Sequence, residues 1–259
     1  MRQTSRNVPA SIISVLLMGY LCAWAPGGSR CDEPSVAPPS SFAPAADLEK
    51  QVAYFVEHIE KQLADESDFG EDQQANVERD ANTLAVVAVV LANHDEPVAL
   101  KASLSALLST AQALAAAAGD FSAASAALAN VQRVLAADET SEPVEWQSSG
   151  ADLAVLMKQV PIVNNRLRRG VTGRRFKRSA ERSAGLAATL AALAHVSAFD
   201  DAYCAGEEDE KLWRRLCDEM RDSAGRVNQA VRDLDQQAAE KAVEQIVESC
   251  DRCHEKFRD

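Results

Sequence analysis

Residues 48–63 have the sequence LEKQVAYFVEHIEKQL, and their apolar residues recur at steps of three and four. This spacing places the apolar side chains on one face of a helix. Gly119 and Asp120 are a helix stop followed by a helix cap. Three more apolar segments flank that pair, at residues 84–91, 100–114 and 121–135. Four amphipathic helices with short connections predict an antiparallel four-helix bundle.

The pattern repeats in the second half of the chain. Ala46-Asp47-Leu48 opens the first unit and Ala151-Asp152-Leu153 opens the second. The apolar run at 84–92 resembles that at 186–194, and Arg232-Asp233 stands before the last helix as Gly119-Asp120 does in the first unit. We therefore predict an all-α protein of two tandem antiparallel four-helix bundles, residues 46–142 and 150–259, each of ordinary domain size.

The N-terminus has the pattern of a secretory signal peptide. Arg2 and Arg6 precede an apolar stretch at residues 12–21, and Ala23-Trp24-Ala25 follows it. The stretch is short for a membrane-spanning helix. We expect cleavage after residues 1–25 and export, to the periplasm or beyond, with an uncleaved N-terminal anchor as the alternative.

Residues 26–45 are rich in Pro, Ser, Gly and Ala. This composition predicts a flexible, partly extended linker. Cys31 lies in it without an evident partner.

Cys250-Asp251-Arg252-Cys253-His254 lies close to the C-terminus. The C-x-x-C-H pattern is typical of haem c attachment, in which the two thiols form thioethers and the histidine binds iron. On a helix the three residues share one face. A redox thiol pair would need a βαβ context, and zinc would need two further ligands nearby. Neither is present in the sequence, so we expect one covalent haem per chain.

The second unit resembles the cytochrome c-prime superfamily. The resemblance lies in ADLAVLM at residues 151–157 and CDRCHEKFR at 250–258, and it covers residues 150–259. It implies that Cys250 and Cys253 attach the haem, that His254 is the proximal ligand and that Met157 is the sixth ligand. High-spin members carry an Arg on the first helix, whereas Leu153 stands one turn before Met157 here.

This departure favours a low-spin electron carrier over an open, five-coordinate haem that binds or senses NO or CO, which stays the alternative. An enzyme is not expected, because the sequence offers no distal acid or base.

The first unit has Val52 in the place of Met157, and residues 138–142 contain no Cys or His. We therefore expect residues 46–142 to form a haem-free bundle.

Other Cys and His residues leave alternatives open. His195 is the other candidate iron ligand, although a histidine at the end of an apolar helix is expected to be partly exposed. His58 and His94 are expected at the surface. Cys204 and Cys217 form a disulfide if their Cα atoms lie within about 7 Å; otherwise one is a buried and one an exposed free thiol.

Charge is divided unevenly. Residues 46–142 contain five basic and 17 acidic residues, whereas residues 143–259 contain 19 and 20. The second unit has a basic run that could steer an acidic redox partner, dock on the first unit, or be a solvated loop. An exported protein with a net charge of −12 is not expected to bind DNA or other nucleic acid. The redox partner is not identified by the sequence, and a homodimer is left open. The basic run consists of Arg166, Arg168, Arg169, Arg174, Arg175, Lys177 and Arg178.

Overall fold

The structure is a computed structural model, and it describes residues 36–137 and 142–258. Within those residues the regular secondary structure is helical, without a β-strand, which confirms the all-α prediction. The α-helices of this part of the chain are α1 (Ala45–Gln62), α2 (Glu71–Ala92), α3 (Leu104–Ala117), α4 (Phe121–Ala136), α5 (Leu153–Val171), α6 (Phe176–Ser197), α7 (Glu207–Arg232) and α8 (Gln236–Phe257).

Aspartates cap three of these helices. The carboxylates of Asp120, Asp152 and Asp235 accept hydrogen bonds from backbone N–H groups in the first turns of α4, α5 and α8. Such a cap stabilises a helix by about 1 kcal/mol. The cap of α8 is not Asp233, its counterpart by sequence. Leu234 has a φ of 59° and turns the chain, so the helix begins after Asp235 instead.

Each set of four helices closes on itself. In the first set each helix packs on the next and α4 returns to α1, and the second set follows the same order with α8 returning to α5. The two sets also pack together, because α2 contacts α5 and α6, and α1 contacts α6. The chain from Ala37 onward forms one compact unit. The division into tandem bundles therefore stays a prediction.

The centre of this unit is formed by α2 and α6. Every residue at 84–91 is at most 1 % exposed, and residues 183–197 of α6 are all buried. A helix that is apolar on all sides must be covered on all sides. Here α2 and α6 are each covered by neighbours of their own set and by helices of the other set.

Buried polar side chains join the two sets. A buried polar group needs a hydrogen-bond partner, so such pairs fix the way in which two surfaces meet. Three of them cross the boundary: the Asn228 amide donates to Asp47 (2.8 Å), the Thr189 hydroxyl donates to Gln51 (3.0 Å), and the Gln159 amide donates to Asp80 (3.1 Å).

The predicted linker at residues 26–45 is too long at its C-terminal end. Phe42 is 3 % exposed, Ala43 is fully buried, and α1 already begins at Ala45. The segment from Ala37 belongs to the compact unit, because these side chains bury apolar surface against it. The prediction of a flexible linker is wrong for this segment.

The predicted signal peptide at residues 1–25, and Cys31, lie outside the described residues. In the part of the chain that the structure covers, no helix has the length and apolar character needed to cross a membrane.

Candidate functional site

The C-x-x-C-H motif forms the last turns of α8. Cys250 and Cys253 are partly buried, whereas His254 is exposed. Cys250 packs against the main hydrophobic core, and Cys253 packs against a second, smaller cluster. The helix therefore turns the two thiols toward the protein and leaves the imidazole at the surface.

We refer to the smaller group as the end cluster. Its centre is Trp213, whose indole N–H donates to the Ser197 carbonyl at 2.8 Å. The Trp213 ring meets Phe257 edge to face, with ring centroids 5.2 Å apart. The end cluster consists of the buried residues Leu153, Trp213 and Cys217, together with the partly buried Met157, Ala198, Cys204, Cys253 and Phe257.

Met157 lies on α5, one turn after Leu153. It is partly buried and contacts both the main core and the end cluster. The fold thus brings Met157 and Cys253, which are far apart in sequence, to the same cluster. His254 follows Cys253 on α8 and is exposed. In the first half of the chain, the corresponding Val52 is buried in the main core.

All four cysteines of the described residues are free thiols with raised pKa values. Burial raises the pKa of Cys253 to about 11, and the nearby Cys250 and Cys204 add to the shift. Burial is also the main reason that the pKa values of Cys250, Cys204 and Cys217 are raised. At neutral pH these groups are therefore predominantly neutral thiols, and the thiolate form that binds metal ions or attacks disulfides is a small fraction, so their exchange with disulfides is slow.

Cys204 and Cys217 are not joined to each other in the structure. Cys217 is buried, whereas Cys204 is partly exposed in the loop between α6 and α7. The two cysteines are therefore free thiols, as in the alternative to the predicted disulfide. The two residues nevertheless belong to the same end cluster.

His195 is buried, not partly exposed as its place in the sequence suggested. It is 2 % exposed and lies in an aromatic box, with ring centroids 4.8 Å from Phe42, 4.6 Å from Trp146 and 5.6 Å from Phe199. Its Nε2 atom has no hydrogen-bond partner. Burial lowers the pKa of His195 to about 4, and the positive charge of Arg221 adds to the shift.

The aromatic box could not be found in the sequence. Phe42 lies in the predicted linker and Trp146 in the connection between the two halves. The structure places His195 in this box and beside Arg221, whereas Met157 and Cys253 pack at the end cluster.

The histidines of the first half have structural partners. His94 is buried, so the expectation that it lies at the surface is wrong. Its Nε2 lies 2.8 Å from the Ala43 carbonyl, and its Nδ1 accepts a hydrogen bond from the Glu96 N–H at 3.0 Å. His58 is partly exposed and its Nδ1 lies 2.5 Å from Asp80.

The basic run lies at the end of α5 and the start of α6. Six of its seven residues are exposed and form no ion pair within the described residues. Only Arg166 reaches the first half, where it donates to the Tyr54 hydroxyl at 2.5 Å. At 1.5 Å per residue, Arg169 lies about 18 Å along α5 from Met157. The basic run is therefore remote from the end cluster.

The residues at the end cluster fit a covalent haem in their chemistry. Two neutral thiols lie one turn apart on α8, and the His254 imidazole makes no hydrogen bond within the described residues. An apolar macrocycle requires apolar neighbours, and Leu153, Trp213 and Phe257 supply them. Met157, Cys253 and Phe257 are partly exposed, so the cluster is open to the surface on their side.

Another kind of metal site is not assembled. Among the described residues, no three His, Cys, Asp or Glu side chains are placed to hold a metal ion together.

Comparison of the chain with protein-family models, with curated proteins and with solved structures gives no match. The resemblance to the cytochrome c-prime superfamily thus depends on the motif residues alone.

Proposed function

We propose that this chain is an exported c-type cytochrome with one covalent haem c. Cys250 and Cys253 would hold the haem by thioether bonds, and His254 would be its proximal ligand. The observation that carries the proposal is the position of the motif: its two thiols face the protein interior, and Cys253 lies in the same apolar cluster as Met157.

The role that these residues support best is electron transfer. When bound, the haem supplies an iron that takes up and releases one electron. The thioether of Met157 would be the second iron ligand, together with His254. Leu153, Trp213 and Phe257 would exclude water from the group. With Met157 and His254 both bound to the iron, no iron position would be open to a substrate, so we propose a carrier and not an enzyme.

A five-coordinate haem protein that binds or senses NO or CO is the second candidate. One observation favours it: Met157 already packs against both the main core and the end cluster. If Met157 keeps those contacts when haem is attached, the sixth position stays open.

The first half is proposed to be a haem-free four-helix bundle related to the second by duplication. Val52 stands at the sequence position that corresponds to Met157, and its burial in the core supports this proposal. The first bundle would support the second through the buried polar pairs and the contacts of α2 with α5 and α6.

The experiment that tests the proposal is production of the protein in a bacterium that attaches haem c in its periplasm. Haem staining should survive denaturation, with one iron per chain. The Cys250→Ala/Cys253→Ala variant should lose the stain, and Cys204→Ala, a control on a neighbouring cysteine, should keep it. Unstained wild-type protein, or two irons per chain, would refute the proposal.

Sharp low-spin bands without a reaction with CO would support the electron carrier. A high-spin spectrum with ready CO binding would support the gas-binding alternative.

A further inference from the structure

The register of α7 against α8 is fixed by contacts along their length. Trp213 meets Phe257, Lys256 Nζ lies 3.0 Å from Asp209, Arg226 Nε donates to Gln245 at 3.2 Å, and Arg252 pairs with Glu219. From Trp213 through Glu219 to Arg226 along α7, the partners on α8 run backward from Phe257 through Arg252 to Gln245. The two helices are therefore antiparallel neighbours in a single register.

This register places Cys217 opposite Cys253. Four residues after Trp213 on α7 is Cys217, and four residues before Phe257 on α8 is Cys253. A shift of four residues keeps a side chain on nearly the same helix face. Both cysteines belong to the end cluster, in agreement with the register.

The other cysteine pairs are less well placed. Cys250 packs against the main core, and Cys253 packs against the end cluster, so the two thiols of the motif face different neighbours. Cys204 lies in a loop at the edge of the end cluster. Cys217 is the buried thiol that a neighbouring helix directs toward the motif.

We propose that Cys217 and Cys253 form an oxidisable dithiol that controls access to the haem-attachment site. In the haem-free chain, oxidation breaks the two S–H bonds and forms one S–S bond between α7 and α8. The two electrons and two protons pass to a small-molecule disulfide such as oxidised glutathione, which is reduced to two thiols. Cys253 is then unable to form a thioether until a thiol reductant reopens the bond.

The pairing depends only on this chain, whereas its effect on haem attachment rests on the proposed function. Formation of the bond requires the Cα atoms to come within about 7 Å, which a neighbouring antiparallel helix pair allows at facing positions. The disulfide would lock the last turns of α8, which carry the motif, onto α7.

The first experiment uses the full chain made without haem attachment. The protein is equilibrated with oxidised and reduced glutathione, trapped by thiol alkylation, and mapped by peptide mass spectrometry. We expect one linked pair of peptides containing Cys217 and Cys253, with Cys204 and Cys250 alkylated. Cys217→Ser should abolish the link and Cys204→Ser should retain it. Circular dichroism of each variant would show that the helices persist.

A dominant link between Cys204 and Cys217 or between Cys250 and Cys253, or alkylation of both Cys217 and Cys253 under oxidising conditions, would overturn the inference. The second experiment compares covalent haem yield with and without reductant. Wild-type protein should gain several-fold more haem when reduced, and Cys217→Ser should show no such dependence. If the link forms but neither protein ever binds haem, the proposed function fails and the dithiol stands.

Discussion

Asp47 on α1 accepts hydrogen bonds from Asn228 (2.8 Å) and Arg232 (3.0 Å) on α7. The aspartate is 4 % exposed, and Asn228 also donates to the Ala184 carbonyl on α6 at 2.9 Å. The Asp47 carboxylate thus joins α1 to α7 directly and, through Asn228, to α6.

Replacing Asp47 by alanine should destabilise the whole protein by about 2–3 kcal/mol, because it leaves the Asn228 amide and the Arg232 guanidinium with unmet hydrogen bonds. The measurement is chemical denaturation followed by circular dichroism. Asp72→Ala is the control, since that aspartate is exposed on α2 and should cost less than about 0.5 kcal/mol. Equal effects in the two variants would contradict the assigned role of Asp47.

Met157→Ala should convert a low-spin haem spectrum to a high-spin one and allow CO to bind, because it removes the proposed sixth ligand. Met220→Ala is the matched control. Met220 is also partly buried but packs only against the main core, so it should leave the spectrum unchanged. The measurement is visible spectroscopy of the oxidised and reduced proteins. A high-spin spectrum of the wild-type protein would show that Met157 does not bind the iron.

His195 should make the protein less stable as the pH falls from about 6.5 to about 4. Its pKa is about 6.5 when unfolded and about 4 when folded. The unfolded chain therefore binds a proton that the folded chain excludes, and up to about 3 kcal/mol of stability is lost across that interval. The groups that face this imidazole are three aromatic rings and the Arg221 guanidinium.

His195→Phe tests this dependence, because phenylalanine suits an aromatic box and leaves no unpaired ring nitrogen. Denaturation at a series of pH values should give a flatter profile for this variant than for wild type, with similar stabilities near pH 7.5. Parallel profiles for the two proteins would show that another group is responsible.

The rate of electron exchange with a small anionic oxidant should depend on charge near the end cluster and not on the basic run. Arg258 is exposed beside the motif, whereas Arg169 lies about 18 Å along α5 from Met157. Arg258→Glu should slow oxidation of the reduced protein by ferricyanide several-fold at low salt, and Arg169→Glu should change it little. The reverse order in stopped-flow measurements would place the exchange site near the basic run.

Residues 46–142 expressed alone should be helical and melt cooperatively without a cofactor, because their apolar stripes form a bundle core. The fragment should melt at a lower temperature than the full chain. It exposes the surface of α2 that packs on α5 and α6, and it removes Thr189 from Gln51 and Gln159 from Asp80, which keeps only His58. Circular dichroism would measure both properties. A disordered fragment would show that this segment requires the second half to fold.

The sequence by itself determined the helices and their inner faces. Local periodicity places Leu48, Val52 and Ile59 on one helix face, and aspartate caps depend only on neighbouring backbone groups. The end of the linker was missed because Phe42 and Ala43 acquire their burial from residues far along the chain. A Pro- and Ser-rich composition does not report such contacts.

The motif itself could likewise be found in the sequence, since C-x-x-C-H is a matter of local spacing, and its haem chemistry stays a prediction. Only the tertiary structure decided which side chains from other helices lie beside the motif. The register of two antiparallel helices places Cys217 opposite Cys253. The pKa of His195 is lowered because packing against Phe42, Trp146 and Phe199 buries the imidazole. Register and burial arise from long-range packing, and residue spacing along one segment carries no information about them.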